Sequence, residues 1–411
     1  MSSKKELSLK ENFSWNFIGS LIHSISSFLI LVVLAKLGDP IIVGLYSIGL
    51  ALTEPVSQLT DMQLRQIQAT DTKEASFKYS DYLGFRMISS VVMLLIILLI
   101  LIFNSYTFEK ALIIILIGIR RMIFSYSDLV FGQLQQRERM DFIGKSQSFR
   151  GISSVIIVGL ALYITKSLII TLIILNISWL YLLVYYDKKN LKIFLNDLKP
   201  SFYFDKIKKL FFLSLPLGIV LMFISLNTNL PRIVTEKILG EEMLGYFSAI
   251  AYLIVVGNTF VRAIGQAVAP RLAKLYRGKN IVEFKKIMKY LLVIGLLTGI
   301  VGVLVSVFLG EFILTLIYDQ SYAAYNHVLI LVMISGIFSY LRTFLGYGLT
   351  SMRYFKIQPY INLFSFIVIL ISSINLIPKL NIEGAAITII IGAFVQFISY
   401  SIVILYRLNQ K

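Results

Sequence analysis

Five arginines fall within or at the ends of long apolar stretches of the chain: Arg86, Arg120, Arg121, Arg262 and Arg342. Only two acids, Glu54 and Asp128, lie well inside such stretches. A guanidinium in apolar surroundings must find water, an anion or a carboxylate. Its planar fork suits paired hydrogen bonds to a phosphate or a carboxylate. Arg121, Ser125 and Asp128 follow one another at helical spacings of four and three, so they share one face. Glu54 sits beside Pro55, which kinks a helix. Two chemistries are therefore open. In one, Arg120 and Arg121, with Arg86, Arg262 and Arg342 nearer a cavity mouth, receive an anionic head group. In the other, an Arg121–Asp128 pair and an arginine–Glu54 contact lock helices together. Glu54 and Asp128 either take up H⁺ or Na⁺ as a coupling ion or neutralise the arginines. His23 reads as a group titrating near neutrality or as a buried, hydrogen-bonded histidine.

Other chemistries are excluded. The chain has no cysteine, so disulfides, thiol catalysis and Cys-ligated metals are ruled out. His23 and His327 are the only histidines and stand far apart, which gives no metal-site spacing. No GxxxxGK[ST] stretch occurs, and no pair of carboxylates is placed for acid/base work. The reading is a protein that is not an enzyme, with no catalytic residue, no metal and no cofactor. The net charge of +17 suggests nucleic acid, but Lys and Arg are confined to particular short segments rather than gathered on one soluble domain.

The elements that must position these residues are membrane spans. Of 411 residues, 57% are hydrophobic and only 15% charged, against about 25% charged in a soluble protein. About 20 apolar residues cross a bilayer core of roughly 30 Å. Uncharged runs of that length occupy 12–35, 87–108, 167–186, 210–231, 290–310, 320–341, 357–378 and 384–406. Four more, at 41–63, 110–136, 149–165 and 243–267, carry charge or are short. The fold class is thus an all-α membrane protein of about twelve spans. With ~1.5 Å of rise per residue, Arg120 and Arg121 lie roughly 14–15 Å deep, near the midplane. Arg262 and Arg342 fall in the inner third of their spans.

Charge in the connections orients the spans. With both termini cytoplasmic, the inside segments hold 28 of the 39 Lys and Arg and the outside loops six. The polar start MSSKKELSLKEN precedes no cleavage site, so the first run is kept as a span. Residues 2–12, with Lys4, Lys5 and Lys10, suit an anionic inner leaflet. The longest inside loop, 187–209, separates an N-terminal six-helix half (1–186) from a C-terminal half (210–411). A repeat supports that division: LAKLGDPIIVGLYSIGLAL (34–52) and TEKILGEEMLGYFSAIAYL (235–253) share Leu-Gly, a later Gly, an aromatic and Ser. Both copies follow the first span of a half, which implies two-fold pseudo-symmetry about the membrane normal.

Two stretches carry a family resemblance. In 213–276, Ser214-Leu215-Pro216-Leu217, Asn229-Leu230-Pro231-Arg232, Leu239-Gly240, Gly245-Tyr246-Phe247 and Gln266 through Pro270-Arg271-Leu272-Ala273 stand in order. In 120–154 stand Asp128, Gly132, Gln135 and Arg150. These resemble the polysaccharide flippases of the multidrug/oligosaccharidyl-lipid/polysaccharide exporter superfamily, the Wzx-type O-antigen and capsule transporters. The resemblance implies a multi-pass protein of the bacterial inner membrane whose halves rock about a central cavity. It implies translocation of an undecaprenyl-diphosphate-linked oligosaccharide from the cytoplasmic to the outer leaflet, with a polysaccharide polymerase as partner. Two rivals are a multidrug or cation exporter, which needs acids where this chain has arginines, and a membrane glycan polymerase, which needs larger loops.

Overall fold

The computed structural model of the chain describes residues 7–71, 77–195, 198–354 and 356–409, where all regular structure is helical. In hydrocarbon every backbone N–H and C=O must be satisfied within the segment, which a helix does. In order the elements are α1 (Leu9–Leu37), α2 (Pro40–Asp61), α3 (Leu64–Thr70), α4 (Tyr79–Asn104), α5 (Phe108–Gln136), α6 (Met140–Thr165) and α7 (Leu168–Tyr181). A π-helical stretch, Leu182–Asp187, joins α7 to α8 (Lys188–Leu191). Then follow α9 (Phe204–Tyr252), α10 (Ile254–Arg277), α11 (Ile281–Ile317), α12 (Gln320–Ala323), α13 (Asn326–Ser351) and α14 (Gln358–Asn409).

Two of these elements are interrupted. Gly240 (φ 82) breaks α9, a backbone conformation that glycine adopts without steric cost. Asn381 (φ 51) breaks α14. With the breaks counted, the described residues give twelve helical segments of bilayer-crossing length, in line with the sequence. The boundaries differ in places. The short span expected at 149–165 begins nine residues earlier, at Met140. The span expected at 243–267 is two helical pieces, the end of α9 and then α10. The loop expected at 187–209 holds α8 and the start of α9. Lys4 and Lys5 lie outside the described residues; α1 itself starts at a capping box, in which Ser8 Oγ accepts from Glu11 N and the Glu11 carboxylate accepts from Ser8 N.

The chain clusters into two compact units, one of residues 1–39 and 48–225, the other of 40–47 and 226–411. In the first unit α1 and α6 pack backbone to backbone. A Cβ on Gly19 would stand 2.5 Å from Gly144 Cα, and one on Gly144 would stand 2.3 Å from the Trp15 carbonyl oxygen. Small residues at such crossings are how helices associate where no water drives them together. The surface of α4 shows the unit's apolar side: Leu95, Leu99, Ile102 and Phe103 are exposed, while Arg86, Ser89 and Ser90 are buried.

In the second unit, Phe284, Met288, Phe344, Leu345, Leu349 and Ile404 centre a core built from α10, α11, α13 and α14. The exposed face of α11 is apolar, with Leu297, Val301, Leu304, Phe308 and Phe312. The two copies of the repeated segment meet here. A Cβ on Gly44 would lie 1.9 Å from Glu241 O, and one on Gly245 would lie 1.8 Å from Pro40 O. Pro40 and Glu241 each stand four residues before a repeat glycine, so the contact is reciprocal.

Candidate functional site

The first unit brings its membrane charges together as a ladder along α2, α3 and α5. On α5, Arg121, Ser125, Asp128 and Gln135 follow at spacings of four, three and seven, forming one stripe. Glu54 and Asp61, seven apart on α2, form the facing stripe. Between α2 and α3, Met62 (φ 48) and Gln63 (φ 51) are both left-handed. That double turn, unusual away from glycine, re-aims the chain so that Arg65 and Gln68 also face α5.

The rungs are specific. Arg121 Nη2 lies 3.5 Å from Glu54 Oε2. Arg86 Nη1 donates to Asp61 Oδ1, its Nη2 donates to the Asp61 carbonyl at 3.3 Å, and the Ser125 hydroxyl donates to the same carboxylate. Arg65 Nη1 donates to Asp128 Oδ1 and its Nε to Gln135 Oε1, both at 3.1 Å. Beyond them Gln68 donates to Gln133 and Gln133 to Gln136. The side chains of Glu54, Arg121, Asp61, Asp128 and Arg65 remain between 20% and 35% exposed. Arg86, which holds Asp61 from behind, is 1% exposed.

A second cluster is closed to solvent. Arg150 and Asp187 form a 2.6 Å ion pair with side chains 0% and 1% exposed. Ser127 Oγ accepts from Arg150, and Ser146 Oγ donates to Asp187. Two guanidinium groups approach the Trp179 ring, Arg150 at 5.2 Å and Arg120 at 5.7 Å, each close enough for cation–π attraction. Trp179 Nε1 donates to Ser154 Oγ at 2.8 Å. His23 stacks on Phe124 with ring centroids 5.9 Å apart.

The structure thus places the sequence-derived residues unevenly. Arg120 is buried against Trp179, and Arg86 is buried against Asp61. The Arg121–Asp128 pair does not form; the partner of Asp128 is Arg65, because the left-handed turn delivers Arg65 there. The expected arginine–Glu54 contact is made by Arg121. His23 is not hydrogen-bonded at Nδ1, which is buried without a partner among the described residues. Asp61, Arg65, Arg150 and Asp187 were absent from the sequence-derived set. The signal for Arg150 was present, since Ser146, Arg150 and Ser154 form an i, i+4, i+8 polar stripe.

The second unit differs in kind. Arg262 on α10 is exposed, and Arg342 on α13 is partly so. Arg342 Nη1 donates to Gln396 Oε1 on α14 at 2.8 Å, while its Nε is buried without a partner. Arg342 lies within electrostatic range of Arg262 and of Tyr400. Among the described residues neither has a carboxylate partner. No group of three or more His, Cys, Asp or Glu that could hold a metal occurs among the described residues.

Comparison with known proteins follows this geometry. Residues 9–276 match the model of a family described as polysaccharide biosynthesis protein. The chain belongs to that family. It is 30% identical over 391 residues to the capsular polysaccharide biosynthesis protein CapF of Staphylococcus aureus, covering 95% of this chain and 98% of the relative. An inward-facing MATE multidrug-resistance transporter of the MOP superfamily superposes with a TM-score of 0.72 at 13% identity, over 96% of this chain and 98% of the other. The lipid II flippase MurJ in an inward closed conformation gives 0.72 at 14% identity, over 95% and 91%. The fold is therefore that of MOP-superfamily transporters. The chain is thus a polytopic helical member of that polysaccharide biosynthesis family, with the fold that those transporters share.

Proposed function

We propose that this protein flips an undecaprenyl-diphosphate-linked oligosaccharide from the cytoplasmic to the outer leaflet of the bacterial inner membrane, by alternating access, during capsule or O-antigen assembly. One observation carries the reading. Arg65, Arg86, Arg121 and Arg150 of the first unit are each engaged by a carboxylate, whereas Arg262 and Arg342 of the second have no carboxylate partner among the described residues. An arginine within a span costs up to about 3.5 kcal/mol at the bilayer centre and less toward its ends, so two neighbouring ones in the inner third favour an external anion. A lipid–diphosphate–sugar diester carries one negative charge on each phosphate and matches that pair. Both guanidinium groups can offer it paired hydrogen bonds. CapF, with capsular polysaccharide biosynthesis in its name, and MurJ, with lipid II, support the same class of substrate. The cation-exporter reading is disfavoured because Glu54, Asp61 and Asp128 are each engaged by an arginine.

Reconstitution into proteoliposomes tests this. Arg262→Gln and Arg342→Gln together should lower flipping of an undecaprenyl-diphosphate oligosaccharide at least tenfold, the loss expected when charge-assisted contacts vanish. Unchanged flipping by the correctly inserted double variant would reject the assignment. Orientation is tested separately. The native chain has no cysteine, so a single Lys199→Cys reports alone. With the termini cytoplasmic, a membrane-impermeant thiol reagent added to intact cells should leave it unlabelled; labelling from outside would invert the molecule.

A further inference from the structure

The ladder of the first unit has a different chemical character from the arginine pair of the second. Each of its three carboxylates is engaged by a guanidinium: Glu54 by Arg121, Asp61 by Arg86, Asp128 by Arg65. The six groups paired in this way sum to zero charge. Yet Glu54, Asp61 and Arg65, on the apolar span Pro40–Thr70, and Arg121 and Asp128, on the α5 helix that faces it, stay partly exposed. Partly exposed charges there face water rather than lipid tails. The exposed surface of α4, with Leu95, Leu99, Ile102 and Phe103, is the lipid-facing alternative, and it is apolar.

The open edge keeps unused hydrogen-bonding capacity. Asp128 accepts through Oδ1 only, so Oδ2 has no partner among the described residues. Arg65 spends Nη1 and Nε and keeps Nη2. Gln135 accepts through Oε1 and keeps its two Nε2 hydrogens. An acceptor carboxylate oxygen, a guanidinium donor and an amide donor therefore lie side by side, braced by bonds to one another. A sugar presents hydroxyl groups that both donate and accept, usually in neighbouring pairs. From Arg121 to Gln135 the stripe runs about 21 Å along α5, long enough for several sugar rings.

We propose that this ladder, with Asp128, Arg65 and Gln135 as its recognition end, binds the uncharged glycan of the transported lipid. The inference rests on the flippase reading above and adds where the sugar is read. An uncharged ligand meets a ladder whose named charges pair off.

The test measures affinity in nanodiscs for two probes. One is bare undecaprenyl diphosphate; the other is the lipid-linked repeat unit extracted from membranes of the cells that encode this chain. The wild-type protein should bind the glycosylated probe more tightly. Asp128→Asn and Gln135→Ala should each shrink that preference roughly tenfold, as loss of a polar contact to substrate does. Arg262→Gln should weaken both probes alike and leave the preference in place. Gln135→Ala removes only an outer amide, so it keeps the test meaningful if Asp128→Asn folds poorly. A preference unchanged in Gln135→Ala would overturn the inference, as would equal weakening of both probes. If the wild-type protein binds bare undecaprenyl diphosphate without preferring the glycan, only this inference falls. If it binds neither probe, the flippase reading falls with it.

Discussion

Alanine at Gly245 should destabilise the protein by about 1–3 kcal/mol, the usual penalty for forcing atoms into a packed contact, and valine by more. The sign is not obvious from propensity, because alanine favours a helix over glycine by about 1 kcal/mol. The geometry decides it. The new Cβ would stand 1.8 Å from the Pro40 carbonyl oxygen, and at Gly44 it would stand 1.9 Å from that of Glu241. A carbon approaches a carbonyl oxygen to about 3.3 Å at closest, so the two backbones must part by more than an ångström. No side chain can rotate away, since the obstruction is main chain on both sides. Gly159→Ala supplies the control, because its nearest neighbour is a Val33 methyl at 3.8 Å. That substitution should be neutral or mildly stabilising by the propensity gain. Melting temperatures of the purified protein separate these outcomes. The reciprocal contact adds a sharper expectation: Gly44→Ala and Gly245→Ala combined should cost less than the sum of the singles, because parting the helices once relieves both clashes. Strict additivity would show that the two contacts are independent.

That seam was legible in the sequence as a repeat, though not as a contact. Leu37-Gly38 with Gly44, and Leu239-Gly240 with Gly245, announced a duplicated segment; that the copies pack on each other is a fact of three dimensions. Most of the fold was legible for a simpler reason. An apolar run of span length has few alternatives to a helix in lipid, so runs such as 87–108 and 290–310 correspond to α4 and α11. Errors gathered where helices continue beyond the apolar run. Arg65 and Arg150 fall among the connecting-segment cations that mark topology, and Asp187 opens the 187–209 connection. In the folded chain they are helix-to-helix partners. The pairing of Asp128 with Arg65 could not be read, since it depends on two left-handed residues, Met62 and Gln63, neither of them a glycine. Local spacing offered Arg121 as the partner on the same face, and a distant residue prevailed. The uncompensated pair, Arg262 and Arg342, stands out by contrast only when the partners of the other arginines are known.

The Arg150–Asp187 pair should prove the most fragile charge in the first unit. Its side chains are 0% and 1% exposed, and Arg150 Nε and Nη1 have no partner, so Asp187 supplies nearly all of the compensation. Removing one member of such a pair leaves a bare buried charge, at a cost of about 3–5 kcal/mol. Asp187→Asn should therefore lower the folded yield and the melting temperature far more than Asp128→Asn, whose arginine can turn to water. The position of Asp187 explains the demand. It ends the π-helical stretch Leu182–Asp187, which widens the last turns after α7 and brings the carboxylate against α6. From there it holds Arg150 against the Trp179 ring, which Arg120 also approaches. Loss of the pair should thus release the tryptophan as well, visible as a shift in its emission. The decisive comparison is with Arg150→Met combined with Asp187→Leu. Replacing both ions by apolar groups removes the desolvation penalty along with the attraction, and buried pairs exchanged in this way are often neutral or stabilising. The double variant should melt well above Asp187→Asn. If Asp187→Asn melts with the wild-type protein, the ion pair is not what joins α6 to the end of α7, and the packing around Trp179 must be held by its apolar contacts with Phe124 and His23.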